Sequence, residues 1–238
     1  MFGMDGSIRS DHEIRPENTT ASRGRRLEHR RAVGRLNHLP AAEPRLAERP
    51  SDRREHVDNE RGAICVNDRM QTNVSGVYAI GDCTLGHAML AHTAMTMGEV
   101  AAETIMGLES RYDESTNPIC VYMEPEAASV GLTEGQCKER GIKYRVGSFS
   151  MAGNGKALIE NGGEGLVKIL AEPTYGQILG MHIIGPRATD LISEGALAIR
   201  LEATMDELVG TIHSHPTVSE AVREASLSYF GRAIHARN

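Results

Sequence analysis

Residues 178–201 of this 238-residue chain read ILGMHIIGPRATDLISEGALAIRL. The apolar, β-prone run Ile178–Ile184 predicts a strand, and a glycine–proline pair marks its end. Residues 189–201 then repeat apolar side chains at the spacing of one helical face, with small residues at Gly195 and Ala198. A strand followed by such a helix predicts that the helix packs closely on a sheet.

The patterns on either side of this stretch predict an α+β domain over residues 115–238. Strands are predicted at residues 119–123, 127–130, 143–149 and 165–171, helices at 133–140, 204–209 and 216–230, and a hairpin turn at 173–176. Because the strands mostly precede the helices, we expect an antiparallel sheet with its helices on one face.

Residues 58–110 predict part of a second, α/β domain with a ligand-binding edge. A short strand is predicted at residues 64–66, and the apolar run at 77–80 predicts a buried strand with Asp82 just past its end. A carboxylate there can accept a hydrogen bond from a ribose or ribitol hydroxyl, or it can be an ordinary cap. The helix predicted to begin near residue 89 would direct free N–H groups at a ligand such as a flavin edge.

Residues 213–220, HSHPTVSE, predict an acid–base pair. Proline is favoured at the first position of a helix, so we expect His215 in the entering turn and Glu220 within the helix. The carboxylate would then bind one ring nitrogen and leave the other free to take a proton. The alternative is an ordinary turn histidine beside a solvated glutamate. We expect Glu224, one turn after Glu220, on a solvated face.

These motifs together resemble the C-terminal part of the flavoprotein pyridine nucleotide-disulfide oxidoreductases, and most of all the dihydrolipoamide dehydrogenase branch. The resemblance covers residues 58–238, in five motifs that occur in the family's order: 76–82, 89–92, 125–133, 180–185 and 213–220. Glutathione and mercuric reductases share the architecture. The forms MLAH at 89–92 and HSHPT at 213–217 favour the lipoamide branch.

The resemblance implies a partial FAD site. Asp82 would bind the ribitol, and the backbone of Met89, Leu90, Ala91 and His92 would face the pyrimidine edge of the flavin. Between Asp82 and Met89 the chain is about one residue longer than the family pattern, which alters the expected geometry of these contacts.

The resemblance also implies the roles of the acid–base pair and the partners. His215 would accept a proton from a dihydrolipoamide thiol, and Glu220 would orient it. In this family the pair reaches the active site of the other subunit, which implies a homodimer. Lipoyl-bearing components of 2-oxoacid dehydrogenase complexes would be the wider partners, and NAD the final electron acceptor.

Two motifs that the resemblance calls for do not occur in this sequence. Cys65, Cys83, Cys120 and Cys137 are spaced by 18, 37 and 17 residues, so none forms a Cys-x-x-x-x-Cys pair. No Gly-x-Gly-x-x-Gly turn opens a helix after a buried strand, and no NAD-binding unit is recognisable. We therefore expect a truncated enzyme that is inactive alone, or a non-catalytic dimerisation module. The four cysteines are expected to be buried, reduced thiols of a cytoplasmic protein.

Residues 1–57 are expected to be disordered or unrelated to the family. The first 56 residues hold 12 arginines, no lysine, nine acidic residues and Phe2 as the sole phenylalanine, tyrosine or tryptophan. The interspersed acids argue against nucleic-acid binding and against a transit peptide. The preferred interpretation is upstream coding sequence read out of frame or a truncated gene model. Reading the upstream nucleotides in three frames tests it.

Metal and membrane sites are not expected. His87, His92, His213 and His215 are not accompanied by the spacings of zinc sites. No apolar run approaches the roughly 20 residues of a membrane span.

Overall fold

The computed structural model describes residues 56–236, which lie within one compact unit. The predictions for residues 1–55 fall outside the described residues. The described elements are β1 Asn59–Glu60, β2 Ala63–Ile64, α1 Ala91–Ile105, β3 Ile119–Val121, β4 Ala127–Gly131, α2 Glu134–Glu139, β5 Arg145–Ser150, α3 Gly155–Asn161, β6 Leu166–Ala171, β7 Ile178–Ile184, α4 Ala188–Arg200, α5 Met205–Gly210 and α6 Glu220–Tyr229. No helix among them is long and apolar enough to cross a membrane.

A five-stranded antiparallel sheet of order β3-β4-β7-β6-β5 forms the centre of the larger part of the fold. In the middle strand, Met181 lies opposite Val130 on one side and Ile169 on the other, and all three side chains are buried. Helices α4 and α6 cover this face of the sheet. The predicted α+β class, with helices on one face of an antiparallel sheet, is confirmed.

Two glycines let the helices approach the sheet. A Cβ added at Gly147 on β5 would lie 2.3 Å from the carbonyl oxygen of Ala225 on α6. A Cβ added at Gly195 on α4 would lie 2.9 Å from the sulfur of Met181. The predicted close approach at Gly195 is therefore present, and the corresponding role of Gly147 is visible only in the tertiary structure.

Helix α3 follows β5 and was not predicted. Asn154 begins it, because its side-chain oxygen accepts a hydrogen bond from the Ala157 amide at 2.8 Å. The helix has only seven residues, too few for a clear apolar period. Gly153 and Gly155 lie just before and at the start of this helix, but Leu158 occupies the position of the third glycine of a Gly-x-Gly-x-x-Gly turn.

The segment before the sheet is built on α1. Met97, Val100 and Ala101 of this helix bury one face against Met70. The buried strand predicted at residues 77–80 is wrong: this run makes one isolated bridge, between Gln71 and Tyr78, and Val77 and Ile80 stay exposed. Its pairing is limited to two backbone hydrogen bonds, from the Thr72 amide to the Val77 carbonyl and from the Ala79 amide to the Met70 carbonyl.

Three hydrogen bonds join the start of α1 to the loop that precedes β3. The His92 Nε2 atom lies 2.8 Å from the carbonyl oxygen of Pro118. The side chains of Thr93 and Asn117 hydrogen-bond to each other at 2.9–3.1 Å. These contacts place the start of α1 against the chain that enters β3.

The loop between α5 and α6 is anchored to α4 by an ion pair. The Nε2 atom of His213 lies 2.9 Å from Glu194, and its Nδ1 atom lies 3.2 Å from the Thr211 carbonyl oxygen. The Glu194 carboxylate raises the pKa of His213 above its ordinary value, while burial and nearby Arg223 act to lower that pKa.

We predict that Gly147→Ala lowers the free energy of unfolding by about 2 kcal/mol, because the added methyl forces α6 away from β5. Gly155→Ala is the matched control, since nothing lies within 4 Å of a Cβ added there. Chemical denaturation measures both. Equal stability of the two variants would contradict the close-packing argument.

We also predict that the His213–Glu194 pair stabilises the fold to an extent that depends on pH. A raised folded-state pKa means that the stabilisation is fully present below the ordinary imidazole pKa of about 6.5 and is lost as the pH rises through the folded-state value. Glu194→Gln should lower the free energy of unfolding by about 1 kcal/mol near pH 6. That difference should shrink towards pH 8, as measured by urea denaturation across this range.

The control for this prediction is Glu139→Gln, which changes an exposed glutamate at the end of α2. A stability difference between Glu194→Gln and the unaltered chain that stays constant with pH would rule out titration of His213 as its cause.

Candidate active site

His215 and Glu220 form a hydrogen-bonded pair at the entrance of α6. The Nδ1 atom of His215 lies 3.0 and 3.2 Å from the two oxygens of Glu220. The Thr217 amide donates to the same carboxylate at 3.0 Å. The structure therefore contains the hydrogen bond that the sequence predicted between these two side chains.

Helix α6 begins at Glu220, so the prediction that it begins at Pro216 is wrong. The side chain of Val218 is buried in the core. The Ala221 amide donates to the Val218 carbonyl at 3.0 Å, which makes a tight turn before the helix. Burial of Val218 therefore places a turn between Pro216 and the helix. The carboxylate of Glu220 consequently lies in the first turn of α6 rather than in the middle of the helix.

The surroundings of Glu220 favour its ionised form. Burial by itself would raise the pKa of this carboxyl group, but hydrogen bonds from the Thr217 amide and from His215, together with the nearby His235, hold the pKa below its usual value. An ionised carboxylate fixes the imidazole of His215 with a proton on Nδ1 and stabilises the imidazolium.

The free side of His215 faces solvent. Its side chain is 81% exposed, and the structure records hydrogen bonds at Nδ1 alone. Among the described residues the Nε2 atom has no hydrogen-bond partner, so it is available to take a proton.

A cavity of about 550 Å³ adjoins the pair. Its wall includes residues 153–155 before and at the start of α3, and residues 209–213 at the end of α5 and after it. It also includes the charged or titratable side chains of His213, His215, Glu220, Arg223, Glu224 and His235. Asn154 links two sides of this cavity, because its side-chain amide donates to the Thr217 carbonyl at 3.0 Å.

Glu224 and His235 form a second carboxylate–imidazole pair in the same wall. Glu224 accepts from the backbone amides of Ile234 and His235 at 2.9 and 3.0 Å, and it lies 3.2 Å from the His235 ring. The expectation that Glu224 is solvated is wrong, because its side chain is only 7% exposed. The C-terminal segment folds back over it, and helical spacing carries no sign of that long-range contact.

The predicted flavin-edge residues lie before and at the start of α1. Asp82 is exposed in the short 3₁₀ turn Gly81–Cys83. Gly81 has a φ of +69°, and a Cβ there would approach the Ala94 methyl at 3.1 Å, so this turn suits glycine. The expectation of four buried thiols is wrong: Cys83 is exposed, Cys65 and Cys120 are half-buried, and Cys137 is buried.

The first turn of α1 has no side-chain cap. Leu90 is the capping residue and makes no side-chain hydrogen bond, so the amides of Ala91 and His92 are not capped by it. Met89 is exposed, and the His92 ring turns away to Pro118. An exposed carboxylate and an uncapped helix N-terminus fit one edge of a flavin. No hydrogen bond is recorded between this edge and the His215–Glu220 pair.

Comparison with protein families matches two segments. The pyridine nucleotide-disulphide oxidoreductase dimerisation domain matches residues 117–226, and the pyridine nucleotide-disulphide oxidoreductase model matches residues 45–98.

Similar proteins agree with these matches. The chain is 46% identical over 174 residues to mitochondrial dihydrolipoyl dehydrogenase of Pisum sativum and 48% identical over 180 residues to dihydrolipoyl dehydrogenase of Bacillus subtilis. It is 46% identical over 171 residues to leghemoglobin reductase of Glycine max. These alignments cover 72–75% of this chain but 32–38% of the relatives, so the chain spans about a third of their length.

A solved structure shares the fold of most of this chain. LpdA of Mycobacterium tuberculosis superposes with a TM-score of 0.67 at 28% identity, covering 71% of this chain and 37% of the other. The flavoprotein disulfide reductase RclA of Escherichia coli, at 24% identity and a TM-score of 0.62, shares the fold. This chain therefore belongs to the pyridine nucleotide-disulphide oxidoreductase family, whose dimerisation domain it carries at residues 117–226.

Proposed function

We propose that this chain supplies the acid–base group for oxidation of dihydrolipoamide, a reaction that passes two electrons through FAD to NAD. The observation that carries the proposal is the exposed His215 imidazole, held at Nδ1 by the ionised Glu220. The relatives named dihydrolipoyl dehydrogenase support this substrate class over other disulfides.

His215 takes a proton from one thiol of dihydrolipoamide at its Nε2 atom. The resulting thiolate is the nucleophile that can attack a disulfide, since the thiol itself is inert. Glu220 stabilises the imidazolium by its charge and by the hydrogen bond at Nδ1. In the overall reaction, dihydrolipoamide loses two electrons and two protons. NAD⁺ takes both electrons with one proton, and the other proton is released.

The redox-active disulfide comes from another chain in this proposal. The four cysteines of this sequence are free and spaced too widely for the family pair. The chain therefore acts in trans: its His215 reaches the disulfide and flavin of a partner subunit. The exposure of His215 suits such a contact, and the dimerisation domain supplies the means of pairing.

FAD, when bound, carries electrons from the disulfide to the nicotinamide. In this chain Asp82 would hold the ribitol, and the backbone from Met89 to His92 would face the pyrimidine edge. The uncapped N-terminus of α1 supports this assignment. The NAD site belongs to the partner. We place the reaction in the cytoplasm, on lipoyl groups of 2-oxoacid dehydrogenase complexes, because the described cysteines are all free.

A second candidate function is pairing without catalysis. The lack of a suitably spaced cysteine pair in the sequence favours it. In that case the chain forms a homodimer, or pairs with an intact subunit, and His215 touches no substrate. The two candidates differ in whether mixed dimers containing this chain regain turnover.

We predict that the activity of mixed dimers distinguishes acid–base catalysis by this chain from pairing without catalysis. The Bacillus subtilis relative, with the histidine aligned to His215 changed to alanine, is refolded together with this chain, FAD and NAD. We expect dihydrolipoamide-dependent NADH formation to return. His215→Ala in this chain should reduce that turnover by about 100-fold or more, because the proton acceptor is lost.

The control for the mixed-dimer test is His56→Ala, which removes an exposed imidazole far along the chain from the pair. The chain alone, with added FAD, should give no turnover. Mixed dimers that form but stay inactive would leave pairing without catalysis as the function.

A further inference from the structure

Asn154 at the start of α3 carries one polar atom that the helix does not need. Its side chain is only 5% exposed. The side-chain oxygen caps α3, and the backbone amide donates to the Met151 carbonyl at 2.9 Å. Serine and aspartate cap a helix about as well as asparagine, so capping does not call for an amide nitrogen. That nitrogen instead donates to the carbonyl of Thr217, which lies 63 residues further along the chain.

Thr217 is hydrogen-bonded to both sides of the acid–base pair. Its amide donates to the Glu220 carboxylate at 3.0 Å. Its hydroxyl donates to the carbonyl of Ser214, the residue before His215, at 2.7 Å. Its own carbonyl accepts from Asn154 and has no other recorded partner among the described residues. Asn154 therefore supplies the hydrogen bond that ties the carbonyl of Thr217 to a distant part of the fold.

The chain that carries Asn154 is tightly packed. A Cβ added at Gly153 would lie 2.7 Å from the ring of Phe149, a buried residue of β5, and 2.8 Å from the carbonyl oxygen of His235. The segment before α3 is thus held between the sheet and the C-terminal residues. A donor that is already fixed loses little conformational entropy when it forms a hydrogen bond, so it restrains Thr217 effectively.

The His215 ring has few other restraints. Its side chain is exposed, and its recorded hydrogen bonds are at Nδ1, to the two oxygens of Glu220. An exposed imidazole held at one atom keeps its orientation only if its partner is fixed. The direction of the ring therefore depends on what holds the Glu220 carboxylate.

We propose that Asn154 is a positioning residue for the His215–Glu220 pair. Its amide holds Thr217, and Thr217 holds the Glu220 carboxylate where that group accepts the Nδ1 proton of His215. No hydrogen bond is recorded between Asn154 and either member of the pair, so it acts through Thr217. The consequence for dihydrolipoamide oxidation rests on the proposed function, whereas the geometry of the pair can be measured in the chain alone.

Asn154 is neutral, whereas the other elements bring titratable or charged groups to the cavity around His215. These groups are Glu220, Arg223 and Glu224 on α6, His213 after α5, and His235 in the C-terminal segment. The wall on the α3 side consists of residues 153–155, which carry no charge. Replacing Asn154 with serine therefore changes a hydrogen bond without removing a charge from the cavity.

The first test observes the ring nitrogens of His215 in the full chain by ¹⁵N NMR at pH 8, and their loss in His215→Ala assigns the signals. In the unaltered chain we expect the neutral ring to carry its proton mainly on Nδ1, because Glu220 accepts there. Asn154→Ser keeps the cap but removes the donor to Thr217. In this variant we expect the Nδ1-protonated form to cease to be the dominant tautomer.

Asn161→Ser is the matched control, because Asn161 also bridges two backbone groups: it donates to the Glu164 carbonyl at 3.0 Å and accepts from the Gly163 amide at 3.1 Å. It should leave the His215 signals unchanged. Asn154→Asp, which keeps the shape and the cap but lacks the donor, replaces the serine variant if circular dichroism shows that variant to be unfolded. An unchanged tautomer in the folded variant would overturn the proposal, as would an equal change in the control.

A second measurement uses the mixed dimers with the Bacillus subtilis relative. Asn154→Ser in this chain should lower kcat at least about tenfold, because a displaced proton acceptor slows the chemical step. A changed tautomer with an unchanged kcat would contradict the positioning role. If mixed dimers with the unaltered chain show no turnover, the acid–base function fails, and the tautomer measurement by itself decides whether Asn154 positions the pair.

Discussion

The close packing of α6 on β5 is the constraint on which the candidate site depends. Gly147 has no side chain, so the carbonyl oxygen of Ala225 lies where a Cβ would stand. This contact fixes the height of α6 above the sheet, and burial of Val218 fixes the turn before it. Glu220 is therefore held at the helix start, and His215 is held by Glu220. The position of the His215 imidazole therefore follows from backbone packing.

Three carboxylate–imidazole pairs meet around the same cavity and have different roles. The Glu194–His213 pair joins α4 to the loop between α5 and α6, and the His213 imidazole is almost completely buried. Glu224 holds the returning C-terminal segment through two backbone amides. In these two pairs the carboxylate fixes the path of the chain. In the pair of Glu220 and His215, the carboxylate fixes an imidazole whose far side is open, which is the arrangement an acid–base group needs.

The segment before the sheet has a different character. Its helix α1 buries one apolar face and exposes another, and its strand-like run at residues 77–80 pairs on one side only. Regular secondary structure needs neighbours, because an unpaired strand edge gains nothing from its backbone groups. Each strand of the sheet at residues 119–184 pairs with a neighbour over three or more residues, whereas the run at residues 77–80 makes one isolated bridge. The strand predictions were therefore correct in the sheet and wrong at residues 77–80.

The sequence by itself determined the α+β class, the family and the contact of His215 with Glu220. Strand alternation, helical period and a short loop act over a few residues, so the local pattern contains them. Only the tertiary structure decided that α6 begins at Glu220, that Glu224 is buried under residues 234–235, and that residues 77–80 form no ladder. Each of these depends on a side chain or a segment far along the chain, and helical or strand spacing carries no information about such a partner.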